Sequence, residues 1–139
     1  MIRDAGALAE LRIQLDSLGS PTVLMGDFPS AEALVAEVES VAAATGSHFP
    51  SHTALRLRAM QGLEADTSAL IATVIDRAAA GGQEIGVAQA RWAAATLYNG
   101  LARYEEAASA SREAAMDTLE PWISAFVLPE LVEAAARAG

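Results

Sequence analysis

Leu97-Tyr98-Asn99-Gly100-Leu101-Ala102-Arg103-Tyr104-Glu105-Glu106-Ala107-Ala108 is the stretch on which the reading of this 139-residue chain turns. It reads as the end of one helix, a tight turn and the start of the next. A small residue, Ala102, is followed by an aromatic two positions on, Tyr104, and by Ala five positions on, Ala107. Weaker copies recur at Gly26, Phe28 and Ala31, and at Gly62, Glu64 and Thr67, with Gly139 as the next small residue. The intervals are 36, 40 and 37 residues, within the roughly 34–47-residue period of two-helix repeats. The second copy has neither the aromatic nor the Ala, so the repeat rests on the spacing and its agreement with the helix breaks.

Composition points the same way. The chain holds 33 Ala, the best helix former and small enough for close helix approach. At 139 residues it can bury a real core. The net charge of −9 disfavours phosphate backbones, so direct nucleic-acid binding is not expected. All nine basic residues are Arg, which excludes a Walker-A lysine and a Schiff-base lysine. There is no Cys, hence no disulfide, thiolate zinc site or Cys nucleophile. Met1-Ile2-Arg3-Asp4 lacks the apolar core of a signal peptide. The longest uncharged run, 40–55, contains Gly46, Pro50 and two His and does not read as a membrane span. A cytoplasmic protein without cofactors or membrane contact is expected.

Outward from the central turn, the periodicity places further helices. The first spans about 4–18, with Leu8, Leu11, Leu15 and Leu18 on one face. Gly19-Ser20-Pro21 should weaken or end it, and 22–25 reads either as a further turn of helix or as loop. After Gly26, Asp27 is placed to cap a second helix that turns Ala31, Leu34, Val35, Val38, Val41 and Ala42 inward. Gly46 should stop it. A short helix over about 51–61 precedes Gly62. A fourth runs to about residue 80 with Leu70, Ile71, Val74, Ile75 and Ala78 inward, closed by Gly81-Gly82. A fifth, about 84–99, carries Ile85, Ala88, Trp92 and Ala95 at helical spacing. The sixth presents Tyr104, Ala107, Ala108, Ser111, Ala114 and Ala115. In the last helix, after Pro121, Pro129 implies a kink or a fresh start.

One hairpin cannot bury its apolar face alone, so repeated hairpins stack on their neighbours. Both ends of this chain read as open, with no polar capping helix. The expectation is either a piece of a longer solenoid or a short protein that covers its ends by self-association. The apolar surface around Phe126, Leu131 and Val132 is the candidate self-association surface, giving a homodimer if the protein is free-standing.

The Ala102-Arg103-Tyr104-Glu105-Glu106-Ala107 core resembles the turn of a tetratricopeptide (TPR) hairpin. More of the chain is similar to the central TPR-like region of large ATP-binding LuxR-family regulators, the MalT-like group of high-GC actinobacteria. The carrying residues are Arg3-Asp4-Ala5-Gly6-Ala7-Leu8-Ala9-Glu10-Leu11, Trp92-Ala93-Ala94-Ala95 with Leu97-Tyr98-Asn99-Gly100-Leu101, Arg103-Tyr104-Glu105-Glu106-Ala107, and Leu128-Pro129-Glu130-Leu131-Val132-Glu133-Ala134-Ala135. The fold this implies is all-α: about seven helices in TPR-like antiparallel hairpins, stacked as a short right-handed solenoid. It forms a single domain over 1–139, with hairpins at about 4–46, 49–81 and 84–118 and a half hairpin at 121–138. Gly19-Ser20-Pro21 departs from the unbroken first hairpin of the family. The family's P-loop ATPase and basic recognition helix have no counterpart here. The resemblance implies a non-catalytic platform that senses an effector or partner and couples it to the rest of a transcriptional regulator. The other reading is a stand-alone self-associating or adaptor solenoid without a gene-regulatory role.

A protein partner or small effector would use the concave face, built by the first helix of each hairpin. Aligned on their turns, the hairpins put Gln89, Trp92, Thr96 and Asn99 on one stripe and His52 and Arg56 on its equivalent. A Trp beside amides, with an Arg nearby, suits a peptide or small effector; a Trp at helical spacing is more commonly core. His48 and His52 are four apart, but Pro50 between them argues against a metal pair and for a Ser51-capped helix with His52 facing solvent. Glu105-Glu106 falls in a first helical turn, where acids suit the macrodipole. Trp122 reads either as an interface anchor or as a loop residue folded back on the core. No catalytic constellation is expected.

Overall fold

The computed structural model describes residues 2–47, 49–82, 84–116 and 121–139. Among them it forms seven α-helices and no strand: α1 (Ile2–Leu24), α2 (Phe28–Thr45), α3 (His52–Met60), α4 (Glu64–Gly81), α5 (Glu84–Gly100), α6 (Tyr104–Met116) and α7 (Pro121–Ala138). The chain is all-α, as Ala content and periodicity predict. His48 and positions 117–118, the end of the third expected hairpin, lie outside the described residues. The chain divides into two compact units, Met1–Leu57 and Arg58–Gly139, with the division inside α3.

In the first unit α1 and α2 pack as a hairpin. Leu15, Val38 and Val41 meet at one end with Leu8 and Leu34. Val23, Ala31 and Val35 meet Ala54 and Leu57 of α3 at the other, with Phe28 alongside. At Gly19-Ser20-Pro21, where the sequence predicts that the helix weakens or ends, α1 does not end but runs on to Leu24, so 22–24 are a further turn of helix. An internal Pro costs a helix about 3 kcal/mol. Buried residues on both sides of it, Leu15 and Val23, offset that cost. Gly19 is a packing residue, not a stop: a Cβ there would lie 2.1 Å from Thr53 Oγ1. The buried stripe of α1 is Leu15, Gly19 and Val23, so Leu11 and Leu18, expected inward, face solvent.

In the second unit α4 packs on α5, α5 on α6, and α7 on both α5 and α6. Ala88, Trp92, Ala114, Ile123 and Val127 form one cluster. Ala107, Ala108 and Ala134 form another, with Tyr98 and Leu131 packed on it. Helix α7 continues through Pro129, where a kink or restart is expected from sequence. Pro129 is on the exposed side, while Val127 and Ala134 anchor the helix before and after it. On α5, Ala88, Trp92 and Ala95 are buried as their spacing predicts, but Ile85 is exposed.

The three turns share one geometry. Gly26, Gly62 and Ala102 all adopt positive φ, at 79°, 71° and 58°. Each donates its N–H to the carbonyl three residues back, Val23, Ala59 and Asn99, at 3.0–3.1 Å. The next residue donates to the carbonyl five back: Asp27 to Thr22, Leu63 to Arg58 and Arg103 to Tyr98. This is the Schellman helix end, which satisfies otherwise orphaned carbonyls. The carbonyls of Asp27, Leu63 and Arg103 then accept from Ala31, Thr67 and Ala107, and all three of those residues are fully buried. Thr67 therefore occupies the same site as the two Ala, with its hydroxyl donated to Leu63 O at 2.7 Å.

Ala102 carries a left-handed backbone that costs an L-residue about 1–2 kcal/mol, whereas Gly62 has open space where a Cβ would sit. Ala102→Gly is expected to raise stability by about 0.5–1 kcal/mol and Gly62→Ala to lower it by about 1 kcal/mol, both read by urea unfolding at constant m.

Candidate functional site

A polar cluster of the first unit gathers at the start of α3, where the first N–H groups lack intrahelical partners. Ser51 caps the helix by accepting from Ala54 N at 3.1 Å. Asp16, on α1, completes the cap from outside the segment. Its Oδ1 accepts from the Ser51 hydroxyl at 2.6 Å and from Thr53 N at 2.9 Å, and its Oδ2 accepts from His52 N at 3.0 Å. The Thr53 hydroxyl donates in return to the Asp16 carbonyl at 3.0 Å. One turn back, Arg12 Nη2 donates to Phe49 O. Gly19 makes room for Thr53 in this arrangement.

The electrostatics follow. Burial raises the Asp16 carboxyl, but hydrogen bonds from Ser51 and Thr53, aided by nearby His52, outweigh it and leave it below 3.8. Burial pushes the His52 imidazole down; Asp16 opposes this, Arg56 and Arg12 add to it, and the net value lies below 6.5. Arg56 is buried, which lowers its guanidinium to about 10, still charged at neutral pH. The Ser51 cap matches the sequence reading; the solvent-facing His52 does not. His52 is half-buried, and its Nδ1 is enclosed with no hydrogen-bond partner. Ser51, His52 and Asp16 do not form a nucleophilic relay, because the Ser51 hydroxyl donates directly to Asp16 and His52 meets that carboxylate through its backbone N–H.

In the second unit the stripe Gln89, Trp92, Thr96 and Asn99 does form on α5. Gln89, Trp92 and Asn99 are less than a tenth exposed, and α7 lies over the stripe. Phe126 stacks on Trp92, ring centroids 5.2 Å apart and 18° between planes. Glu130 accepts from the Thr96 hydroxyl at 2.9 Å through Oε1 and from Asn99 Nδ2 at 2.8 Å through Oε2, and its carbonyl accepts from Asn99 Nδ2 at 3.0 Å. Trp92 is thus a core residue, and Thr96 and Asn99 hold α7 in register. His52 and Arg56 belong to the first unit and the α5 stripe to the second.

The three residues of the candidate self-association surface separate. Val132 is 67 % exposed, Phe126 is 45 % exposed while stacked on Trp92, and Leu131 packs inward on the Ala107, Ala108 and Ala134 cluster. Trp122 is a residue of α7, not of a loop, and is 44 % exposed. The turn Arg103 binds Glu64 and Glu106, each at 2.5 Å, with its guanidinium 4.7 Å from the Tyr98 ring centroid. Sequence reasoning passed over Asp16 and Glu130, since an acid 35 residues from the helix it caps, or 31 from the amide it holds, leaves no local pattern.

Among the described residues no cluster of His, Asp and Glu is arranged to hold a metal, and no helix is long and apolar enough to cross a membrane. No protein-family model, curated protein or solved structure matches the chain.

Asp16→Ala removes three accepted hydrogen bonds at a largely buried helix start and is expected to cost roughly 2–3 kcal/mol in chemical unfolding. Trp92→Ala should cost ~3–5 kcal/mol, because Phe126 loses its stacking partner and a cavity opens between α5 and α7. The lowered His52 and Asp16 values both mean that the unfolded chain binds protons more readily than the folded one. Stability should therefore fall as pH drops below 6.5 toward the folded value of His52, and fall again below 3.8 as Asp16 protonates. Thermal melts of wild type and His52→Gln across this range check the first step, which the variant should flatten.

Proposed function

We propose that the chain is a non-catalytic helical-repeat scaffold in which TPR-like hairpins stack as a short right-handed solenoid. It resembles the effector- or partner-sensing middle region of a LuxR-family transcriptional regulator. The observation that carries the repeat reading is the shared Schellman geometry at Gly26, Gly62 and Ala102, each followed five residues on by a fully buried position. The regulatory part comes from the resemblance of the Trp92–Leu101, Arg103–Ala107 and Leu128–Ala135 motifs alone. A non-catalytic role fits the work done by the buried polar groups: Asp16 caps a helix, and Glu130 locks α7 to α5. An effector or protein partner on the α5 stripe would have to compete with α7, since Phe126 and Glu130 already occupy Trp92, Thr96 and Asn99. Such competition would link ligand binding to the position of α7.

The second reading, a stand-alone self-associating or adaptor solenoid, is favoured by the exposed apolar residues of α7. An immunoblot of source cells with an antibody to this segment separates the two. The regulator reading expects a band several times heavier than 14.4 kDa. A band at 14.4 kDa would sink it and leave the stand-alone solenoid.

A further inference from the structure

Helix α7 has two apolar sides, and only one of them is covered. Ile123, Val127 and Ala134 face α5 and α6 and are buried. Trp122, Leu128 and Val132 are 44 %, 49 % and 67 % exposed, and Ala125, Pro129, Ala135 and Ala136 are exposed as well. At 100° per residue these positions form a continuous strip along the side opposite the buried one. A helix with an apolar stripe on two sides commonly has a partner on each.

We propose that the outer face of α7 packs against the same face of a second copy, antiparallel, about a two-fold axis beside Leu128 and Pro129. Three features select a second copy as occupant. The first is charge. In a chain of net charge −9, α7 carries only Glu130, Glu133 and Arg137. Glu130 is held by Thr96 and Asn99, and Glu133 pairs with Arg137 at 3.1 Å. Docking the strip on itself therefore buries no unpaired charge of α7, and the face offers no sign of charge for a basic or acidic partner to read. The second feature is shape. An antiparallel pair centred between 128 and 129 sets Trp122 opposite Ala135, Val132 opposite Ala125, and Leu128 opposite Pro129. Trp122 and Val132 each meet an Ala and Leu128 meets Pro129 across the axis, a self-complementary pattern of the kind an isologous interface uses. The third is area. Eighteen residues of helix extend about 27 Å, and the strip offers roughly 500 Å² per copy. Fully covered on both copies, that reaches the ~1,000 Å² total of the smallest specific interfaces, so the dimer is expected to be a weak one. Antiparallel helix dipoles also oppose favourably. The dimer face gives the self-associating reading above its surface and rests on that reading, and it is independent of the regulatory one.

Sedimentation velocity from about 1 to 100 μM tests it at concentrations bracketing a micromolar dissociation constant. The expected mass rises from 14.4 kDa to twice that value. Val132→Glu, at an exposed position that leaves the helical circular dichroism unchanged, should weaken the dimer at least tenfold. Because the chain has no Cys, the double variant Ala125→Cys/Val132→Cys should oxidise to a covalent dimer. Ile13→Cys, exposed on α1, should do so far more slowly. A 14.4 kDa species at every concentration overturns the proposal. So does a Val132→Glu protein that dimerises as wild type, assembly beyond the dimer, or cross-linking at Ile13→Cys as fast as at the α7 pair.

Discussion

A helix that turns back on itself within three residues must end on a residue that reverses the backbone hand. Here that residue is Gly26, Gly62 or Ala102, and the hydrogen bonds around each are the same. The constraint propagates. With φ positive at the turn, the next residue's carbonyl opens the following helix, and the residue five beyond the turn is aimed inward. Ala31, Thr67 and Ala107 are buried for that reason, whatever their chemistry. The aromatic two beyond the turn is freer: Phe28 and Tyr104 are half-buried, and Glu64, exposed in that place, instead receives Arg103 from the next turn.

The polar groups taken inside serve the helices. Asp16 answers the start of α3 as a bound anion would, with both carboxylate oxygens on groups at the helix N-terminus. A carboxylate in that place sits in the positive end of the dipole and accepts charge-assisted bonds, which explains why it stays ionised despite its burial. Glu130 plays a comparable part in the second unit, tying α7 to the polar end of the α5 stripe while Phe126 closes the apolar end over Trp92. Both acids are placed by the packing of α1 and α7, so each reports whether its helix is seated.

Pro21 and Pro129 show how packing overrides local propensity. Each sits inside a helix and forfeits a backbone bond. Each is flanked by residues buried on the opposite side, Leu15 and Val23 for one and Val127 and Ala134 for the other. Anchoring on both sides gives the chain less free energy for breaking at the proline than for carrying it. Gly19 belongs to the same lesson, since its missing side chain admits Thr53.

The helical class, the number of helices and the positions of the turns were legible in the chain itself, because each rests on local physics. Ala favours helix, Gly tolerates positive φ, and apolar residues repeat every three or four positions. The Ser51 cap and the inward faces of α2 and α6 could be read for the same reason. What needed the tertiary structure was which of two apolar stripes is covered. Periodicity puts Leu11 and Leu18 with Leu15, and Ile85 with Trp92, yet the neighbours take only Leu15 and Trp92. The stripe of Gln89, Trp92, Thr96 and Asn99 was legible as a stripe, but its occupation by Phe126 and Glu130 was not. Those residues lie more than thirty positions away, and only the packing of α7 on α5 brings them there.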